Sequence, residues 1–306
     1  MTEPAKRPLR LRRAELAVPG SNVHMMQKAS QMDVDHVFLD LEDAVAPAEK
    51  VATRQKIVTA LNELDWGRTV RCVRINDLET NLAYEDVIEV VEGAQENLDI
   101  IIVPKVKSAF DVQWVALLLD QIEGKLGMAK RIGLEVLIEE VEAMVNVEAI
   151  AGASDRLEAL IFGVGDYSAS QGINPEVFKE SHSYPGDVWH YGRNKISIAA
   201  RMHGIDFIDG PYPNIKDQDG YLRECERGMF LGAVGKWAIH PSQVELAQKA
   251  FTPDPEIVER ARKMNAAYLE AVENGKGAAQ VDGFLVDAAT MRLYGKVLEM
   301  ADRIGI

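Results

Sequence analysis

Short apolar runs alternate with amphipathic stretches along most of the chain, and this alternation predicts its architecture. Several runs are nearly continuous in valine, isoleucine, leucine or phenylalanine, as strands buried on both faces are. The stretches between them, such as 49–64, 82–94, 109–122 and 141–151, have the spacing of amphipathic helices. Eight strands alternating with helices favour an α/β fold of the TIM (β/α)8 barrel type, with a doubly wound open sheet as the alternative. The eight runs are 16–19, 36–41, 69–75, 100–104, 133–138, 159–164, 205–208 and 236–239.

Two prolines mark the end of the predicted barrel. Pro253 and Pro255 prevent any helix from continuing past residue 251. Beyond them the pattern predicts a helix over 256–273, a glycine-rich loop over 274–280, a turn at 282–283 and a last helix from Ala288. We therefore expect a barrel domain over 1–251 and a C-terminal helical lid or arm over 252–306.

Composition and charge narrow the classes of function. Of 306 residues, 47% are hydrophobic and 27% charged, which is typical of a folded core and not of disorder. The 48 acidic residues outnumber the 34 lysines and arginines, and a net charge of −14 argues against general nucleic-acid binding. No apolar run approaches the roughly 18 residues of a membrane span, and the N-terminus has no secretory signal pattern.

The two cysteines predict neither a disulfide scaffold nor a metal site, and they bear only on the cellular compartment of the protein. Cys72 and Cys225 are too few for a disulfide scaffold, and their spacing is not that of a metal site. We expect Cys72 to be a small buried side chain within a strand. A cytoplasmic protein without a membrane partner fits these observations best.

Polar side chains stand where the predicted strands end. In a barrel the carboxyl ends of all strands form one rim, which is where active sites lie. We therefore expect these side chains to meet at one mouth. They are Asp40, Glu42 and Asp43, Arg74 and Asn76, Lys105, Glu139 and Glu140, Gly165 and Asp166, Asp209, and His240.

The concentration of carboxylates at this mouth predicts a cation site. Like charges repel unless a cation joins them, and oxygen ligands without cysteine or histidine select a hard ion such as Mg²⁺. Glu139 and Asp166 end adjacent strands and are the predicted ligand pair. A shift of one residue in strand register would put Glu140 in place of Glu139.

Four residues near the mouth have a chemical interpretation of their own. The Arg74 guanidinium suits bidentate binding of a ligand carboxylate, with an internal salt bridge to Asp40 or Glu42 as the alternative. The glycines at 163 and 165 allow backbone N–H groups to approach a ligand closely. We expect His240 only to cap its strand.

Eight motifs in order resemble the citrate lyase β-subunit/HpcH–HpaI aldolase superfamily. The resemblance covers roughly residues 13–305. The Asp-Tyr-Ser-Ala-Ser run at 166–170 and the Gly-Lys-Trp-Ala-Ile-His-Pro run at 235–241 are most similar to its L-malyl-CoA/β-methylmalyl-CoA lyase branch. The motifs are residues 18–22, 38–47, 73–76, 102–105, 138–140, 165–170, 208–212 and 235–241.

The resemblance implies a Claisen-type carbon–carbon lyase that uses Mg²⁺, with Mn²⁺ as an alternative ion. The implied reaction is reversible cleavage of L-malyl-CoA to acetyl-CoA and glyoxylate, extended to β-methylmalyl-CoA, which yields propionyl-CoA and glyoxylate. The alternatives are a citramalyl-CoA or citryl-CoA lyase, a malyl-CoA thioesterase or malate synthase, and a non-catalytic assembly protein. Members of this superfamily form homotrimers or homohexamers.

The resemblance also implies roles for residues at the mouth. Arg74 would hold the carboxylate of the 2-oxoacid, and Glu139 and Asp166 would bind the metal. Glu42 and Asp43 would hold waters on the metal, and a water near Asp43 is the candidate for taking the substrate's hydroxyl proton. Gly165 and Asp166 are the expected substrate contacts beside Arg74.

Other implied roles fall outside the mouth residues. Asp287 would be the catalytic acid/base, supplied by the lid of a neighbouring subunit. Arg13 and Lys28 would contact the phosphates of coenzyme A. The chain differs from many members of the branch at Asn22, where they carry a cation, and at Glu140, where they carry a small residue.

Overall fold

The apolar runs form eight parallel strands of one closed barrel, which confirms the predicted fold class. The computed structural model describes residues 7–178 and 186–306. The strands pair in chain order, and the first closes the barrel on the eighth, with Ala14 opposite Lys236. They are β1 (Ala14–Pro19), β2 (His36–Asp40), β3 (Val70–Arg74), β4 (Ile100–Val103), β5 (Gly133–Ile138), β6 (Leu157–Phe162), β7 (Asp206–Asp209) and β8 (Gly235–Ala238).

The helices around the barrel begin and end at residues with a clear local reason. Asn22 caps α1 by accepting a hydrogen bond from the Met25 N–H at 3.1 Å. The predicted single helix over 141–151 is wrong, because the chain breaks at Asn146 into two short helices. The helices are α1 (Val23–Ser30), α2 (Lys50–Glu63), α3 (Ala83–Ala94), α4 (Ala109–Leu126), α5 (Val141–Val145), α6 (Val147–Ala151), α7 (Val164–Gln171), α8 (His190–His203), α9 (Gln218–Phe230) and α10 (Pro241–Phe251).

The inside of the barrel has an apolar layer between two polar ends. Phe38 and Trp237 stack in this layer with ring centroids 4.3 Å apart. Cys72 belongs to the same layer and is buried, as predicted. Polar side chains lie towards the carboxyl ends of the strands and towards their amino ends. The layer consists of Phe38, Cys72, Ile100, Ile102, Leu137, Ala159, Ile161, Ile208 and Trp237.

Residues Lys249–Ile306 form a second compact unit, distinct from the unit that ends at Gln248. It contains α11 (Pro255–Glu273), β9 (Ala278–Val281), β10 (Phe284–Asp287) and α12 (Ala288–Ile304). Its core is built from Met264, Val281 and Val286.

The turn of this unit lies where the sequence predicts it, but the two strands beside it were not predicted. Asp282 and Gly283 both have positive φ, at 50° and 85°, as a two-residue hairpin turn requires. The predicted loop over 274–280 is wrong for its last three residues, which belong to a strand. Residues 278–281 pair with 284–287 as an antiparallel hairpin. Helical periodicity alone could not reveal strands of four residues each.

In the parts of the chain that the structure describes, no helix is both long enough and apolar enough to cross a membrane.

One glycine at the rim is required by packing, and it provides a test of the fold. A Cβ on Gly210, directly after β7, would lie 2.1 Å from the Phe162 carbonyl oxygen. We expect Gly210→Ala to lower the free energy of unfolding by about 2–4 kcal/mol, because backbone must move to relieve the clash. The measurement is urea unfolding followed by circular dichroism.

Gly124 is the matched control for this substitution. It lies within α4, and a Cβ there would meet nothing within 4 Å. Gly124→Ala should therefore raise the free energy of unfolding by about 0.5–1 kcal/mol through helix propensity. Equal effects of the two substitutions would contradict the described packing of β6 against the end of β7.

Candidate active site

Charged side chains follow the carboxyl ends of five neighbouring strands, as predicted. Asp40 and Arg74 are the last residues of β2 and β3, while Lys105 and Glu139 come shortly after β4 and β5. Asp166 lies in the first turn of α7, which follows β6. Because β2 to β6 are paired in order, these side chains lie along one side of the barrel mouth.

Arg74 and Asp40 form a bidentate ion pair. Arg74 Nε donates to Asp40 Oδ1 and Arg74 Nη2 donates to Asp40 Oδ2, both at 2.7 Å. The backbone N–H groups of Glu42 and Ala44 donate to the same carboxylate at 2.9 Å. Burial alone would raise the pKa of Asp40, but the hydrogen bonds and charge of Arg74 outweigh it, so the pKa is lowered.

The internal salt bridge considered for Arg74 is thus present, and it orients the rest of the guanidinium. Arg74 Nη1 lies 2.9 Å from Glu42 Oε2, and the group stands 5.8 Å and 5.6 Å from the ring centroids of Phe38 and Trp237. A guanidinium has five N–H groups, of which Asp40 uses two. N–H groups on both Nη atoms therefore remain for a further carboxylate in the mouth.

Glu42 and Lys105 form a second ion pair at the rim. Lys105 Nζ donates to Glu42 Oε1 and lies 3.5 Å from Asp43 Oδ1. Lys105 has a φ of 48°, a left-handed conformation that is uncommon for a residue with a side chain. This conformation directs its own backbone N–H to Glu139 Oε1 at 2.9 Å. Sequence analysis placed Lys105 at a strand end but assigned it no role.

Glu139 is the most perturbed carboxyl group of the mouth. It is 1% exposed, and burial together with the charges of Glu42 and Asp166 raises its pKa to about 8. A Cβ on Gly163 would lie 2.4 Å from Glu139 Cβ and Oε2, so only glycine leaves room for this side chain. The glycine of the 163–166 motif is thus explained by the carboxylate that it accommodates.

The structure distinguishes Glu139 from its neighbour Glu140. Glu140 Oε2 accepts a hydrogen bond from Ser170 Oγ at 2.7 Å, beside α5 and α7. Glu139, in contrast, is buried within the barrel mouth. Gly165 and Asp166 are exposed, and a Cβ on Gly165 would meet nothing within 4 Å, so packing does not require glycine there.

The donor set of the mouth fits a hard divalent cation. Three carboxylates belong to this set, those of Glu42, Glu139 and Asp166. The negative charges of Glu42 and Asp166 both raise the pKa of Glu139. Glu42 Oε2 is buried and has no hydrogen-bond partner, although it pairs electrostatically with Arg74. An all-oxygen set with one exposed member is the arrangement that Mg²⁺ uses, because it keeps positions for water and ligand.

Two other residues at the strand ends have structural roles. Asp209 is fully buried and accepts hydrogen bonds from Arg193 Nε at 2.9 Å and Lys236 Nζ at 2.5 Å. His240 is exposed, and its Nδ1 accepts from the Ser242 N–H at 3.2 Å at the start of α10. His240 therefore caps the helix that follows its strand and not the strand itself, and the expectation that Asp209 points into the mouth is wrong.

The structure corrects the expectation for Arg13. This residue precedes β1, so it lies at the amino end of the barrel, opposite the mouth. Its guanidinium is bound by Asp35, with Nε and Nη2 both 2.8 Å from the carboxylate oxygens. The predicted first strand over 16–19 already placed Arg13 on its amino side, so the expectation came from the family resemblance and not from the strand pattern. Lys28 is exposed on α1, the helix that follows the carboxyl end of β1.

Asp287 belongs to the second unit, where it caps α12. Its Oδ1 accepts hydrogen bonds from the Ala289 and Thr290 N–H groups at 3.0 Å and 2.9 Å, and from Thr290 Oγ1 at 3.1 Å. The hydrogen bonds from Thr290 lower the pKa of Asp287. All three bonds go to Oδ1, so capping leaves Oδ2 for another partner.

Comparisons with known proteins identify the family of the chain. The family model for HpcH/HpaI aldolase/citrate lyase matches residues 13–241. The chain is 40% identical to an L-malyl-CoA/β-methylmalyl-CoA lyase of Rhodobacter capsulatus, over 96% of both chains. It is 35% identical to a (3S)-malyl-CoA thioesterase of Cereibacter sphaeroides, over 95% of both.

A solved structure extends the similarity to the fold. CitE from Mycobacterium tuberculosis, in complex with magnesium, acetoacetate and coenzyme A, superimposes with a TM-score of 0.74 at 27% identity. The match covers 97% of this chain and 99% of that one. The protein described here is a member of the HpcH/HpaI aldolase/citrate lyase family.

Proposed function

We propose that the protein is a Mg²⁺-dependent acyl-CoA lyase that cleaves L-malyl-CoA reversibly to acetyl-CoA and glyoxylate, and also accepts β-methylmalyl-CoA. The observation that carries the proposal is the meeting of Glu42, Glu139 and Asp166 with the guanidinium of Arg74 at one barrel mouth. The 40% identity to a lyase named for these two substrates, over nearly the whole of both chains, supports the choice of substrate.

Glu139 and Asp166 would hold the cation, with Glu42 and Asp43 binding the waters around it. When bound, the cation stabilises the negative charge that develops on the hydroxyl oxygen as the carbon–carbon bond breaks. Arg74 binds the carboxylate of the oxoacid half through the N–H groups that Asp40 leaves unused, and so fixes its orientation. Gly165 and Asp166 complete the substrate contacts on the α7 side of the mouth.

Two proton transfers accompany the cleavage. The hydroxyl of the substrate loses its proton and becomes the carbonyl of glyoxylate, and a water beside Asp43 is the proposed acceptor. The electron pair of the broken bond moves to the methylene carbon beside the thioester. In condensation Asp287 removes a proton from this carbon, and its lowered pKa keeps it in the ionised form that this step needs. In cleavage Asp287 would first take up a proton from water, which receives the hydroxyl proton of the substrate, and would then deliver it to the carbon.

We propose that Asp287 reaches the mouth of a neighbouring subunit in a homotrimer or homohexamer. Large apolar side chains beside it are exposed, namely Phe284 at 64%, Leu285 at 68% and Leu293 at 75%. Apolar side chains clustered in this way are typical of a surface covered by a partner. The segment 252–306 would then act as a lid contributed in trans.

Coenzyme A phosphates would be bound by cations near the carboxyl end of β1. Lys28 is exposed on α1, and Lys56 Nζ donates to the Ser21 carbonyl at 3.3 Å in the preceding loop. A lysine ammonium is a compact charge that binds phosphate oxygens well. Lys56 was not singled out from the sequence, because its position in α2 reveals no proximity to residue 21.

A thioesterase is the second candidate function, because a relative with that name is 35% identical over 95% of both chains.

A substrate panel separates the candidates. Incubated with Mg²⁺, the protein should release glyoxylate and acetyl-CoA from L-malyl-CoA without free thiol. Free thiol together with malate would indicate the thioesterase, and pyruvate from citramalyl-CoA or oxaloacetate from citryl-CoA would indicate a related lyase. No turnover of any member of the panel would favour the non-catalytic alternative.

The proposed ligand pair can be tested by matched carboxyl-to-amide substitutions. Asp166→Asn and Glu139→Gln should each lower kcat/KM by at least about 10²-fold and weaken Mg²⁺ binding, because one ligand charge is removed. Glu140→Gln is the control, since Glu140 is bonded to Ser170 and should affect kcat/KM only slightly. Steady-state kinetics across a Mg²⁺ series provides the measurement. A larger loss in the control than in the ligand variants would reject this assignment.

Cation binding should depend on pH through Glu139. Its pKa is raised to about 8 without a cation, so below that pH the group carries a proton that Mg²⁺ must displace. Mg²⁺ affinity should therefore rise with pH up to about 8 and then level off, with proton release only on the acidic side. Calorimetry in buffers of different ionisation enthalpy measures this release. Equal affinity on both sides of that pH would contradict the burial and charge described for Glu139.

Asp287→Asn separates acid/base chemistry from helix capping. Asparagine is as good an N-cap as aspartate, so the melting temperature should stay close to that of the wild type. The amide cannot take a proton, so kcat and the exchange of acetyl-CoA methyl protons in D₂O should fall by about 10²–10⁴-fold. Asp254→Asn is the matched control, because Asp254 caps α11 in the same unit. An Asp287→Asn protein with wild-type exchange would exclude Asp287 as the base.

A further inference from the structure

The amino end of the barrel interior contains a second group of buried polar side chains, away from the mouth. It consists of Glu15 on β1, His36 on β2, Cys72 on β3 and Glu135 on β5. Each of the four is at most 1% exposed. Such a group is rare in a dry core, where a carboxylate, an imidazole and a thiol all need partners.

The distances within this cluster resemble those of a coordination sphere. His36 Nδ1 lies 3.6 Å from Cys72 Sγ, 3.6 Å from Glu15 Oε1 and 3.9 Å from Glu135 Oε1. Ligand atoms of His36, Cys72 and Glu135 can all be chosen within 4.8 Å of one another. Zinc binds such atoms at about 2.0–2.3 Å, so ligands at tetrahedral corners stand roughly 3.3–3.8 Å apart.

Glu15 and Glu135 each accept a hydrogen bond through one carboxylate oxygen, and the other oxygen of each lacks such a bond from any described residue. Glu15 Oε2 accepts from Trp237 Nε1 and Glu135 Oε1 accepts from Arg12 Nε, both at 2.8 Å. Within residues 7–178 and 186–306, Glu15 Oε1 and Glu135 Oε2 are buried and have no hydrogen-bond partner. Metal-binding carboxylates show this pattern, in which an N–H donor orients one oxygen and the ion takes the other.

Carboxylates outnumber guanidinium groups around the cluster. Arg12 forms ion pairs with Glu135, Glu158 and Asp206, and Arg10 pairs with Glu158 and Asp99. Glu15 accepts its hydrogen bond from the uncharged indole of Trp237, so this carboxylate adds to the excess of acidic groups.

We propose that this cluster is a second, structural metal site that binds one Zn²⁺ through His36, Cys72 and Glu135, with Glu15 as the fourth ligand. On binding, the Cys72 thiol would lose its proton, and one divalent ion would supply positive charge for the resulting thiolate and the carboxylates, together with a partner for each unpaired carboxylate oxygen. The mixture of nitrogen, sulfur and oxygen donors selects zinc over Mg²⁺, which prefers oxygen alone. A closed four-ligand site without room for substrate is structural, and this ion would join strands β1, β2, β3 and β5.

Metal content measured on the intact protein tests the proposal without any substrate. Protein produced in zinc-supplemented medium and desalted into Mg²⁺ buffer should contain about one zinc per chain by mass spectrometry, as a single closed site requires. Cys72→Ala and His36→Gln should each lose this zinc. Cys225→Ala removes the other buried thiol, and Asp166→Asn removes a ligand of the proposed Mg²⁺ site, so both should retain the zinc.

A measurement on the wild type covers the case in which the core variants do not fold. Wild-type protein refolded with Co²⁺ as the only metal should show a thiolate-to-cobalt charge-transfer band and the visible absorption of tetrahedral cobalt. Cys225→Ala should show the same bands. A zinc-free wild type that forms no such bands would overturn the proposal, as would zinc retained in both Cys72→Ala and His36→Gln. Failure of the lyase assay bears only on the mouth of the barrel, so the two proposals fail independently.

Discussion

The mouth of the barrel depends on a balance between buried carboxylates and two fixed cations. Arg74 and Lys105 neutralise Asp40 and Glu42 through direct ion pairs. In the part of the chain that the structure describes, no side-chain cation forms an ion pair with Glu139, whose pKa is raised to about 8 by burial and by its acidic neighbours. Carboxylates without partners in a low-dielectric site are costly, so the remaining negative charge favours a cation. The chemistry proposed for the mouth follows from this local excess of negative charge.

The same ion pairs hold the binding groups in place before a ligand arrives. Asp40 accepts four hydrogen bonds, two from Arg74 and two from backbone N–H groups. Both residues end strands, so the guanidinium is attached to the most rigid part of the fold. Lys105 adds a strained backbone conformation whose N–H orients Glu139. Interactions that are already formed cost no reorganisation when the substrate binds, which is the usual origin of catalytic positioning.

Periodicity and position predict this molecule best where structure repeats. The apolar runs predicted the barrel, and parallel strand order placed Arg74, Glu139 and Asp166 at one rim because all strand ends share it. Arg13 was misplaced because its role came from the family resemblance alone, although the residue precedes both the predicted first strand and the observed β1. The β9–β10 hairpin was missed because four-residue strands leave almost no pattern. Ion pairs between distant residues, such as Lys105 with Glu42, follow only from the closed barrel.

The two polar ends of the barrel interior offer different sets of metal-binding atoms. At the mouth, Asp166 is exposed, the donors are all oxygens, and water and substrate can enter. At the amino end, His36 and Cys72 add nitrogen and sulfur, and no member of the cluster is more than 1% exposed. Cysteine spacing along the sequence argued against a metal site, but neighbouring strands bring Cys72 beside His36 across 36 residues. An open site with oxygen donors suits a hard ion that exchanges with solvent, whereas a closed site with nitrogen, sulfur and oxygen donors suits a permanently bound ion. The apolar layer containing Phe38 and Trp237 lies between the two ends of the barrel interior.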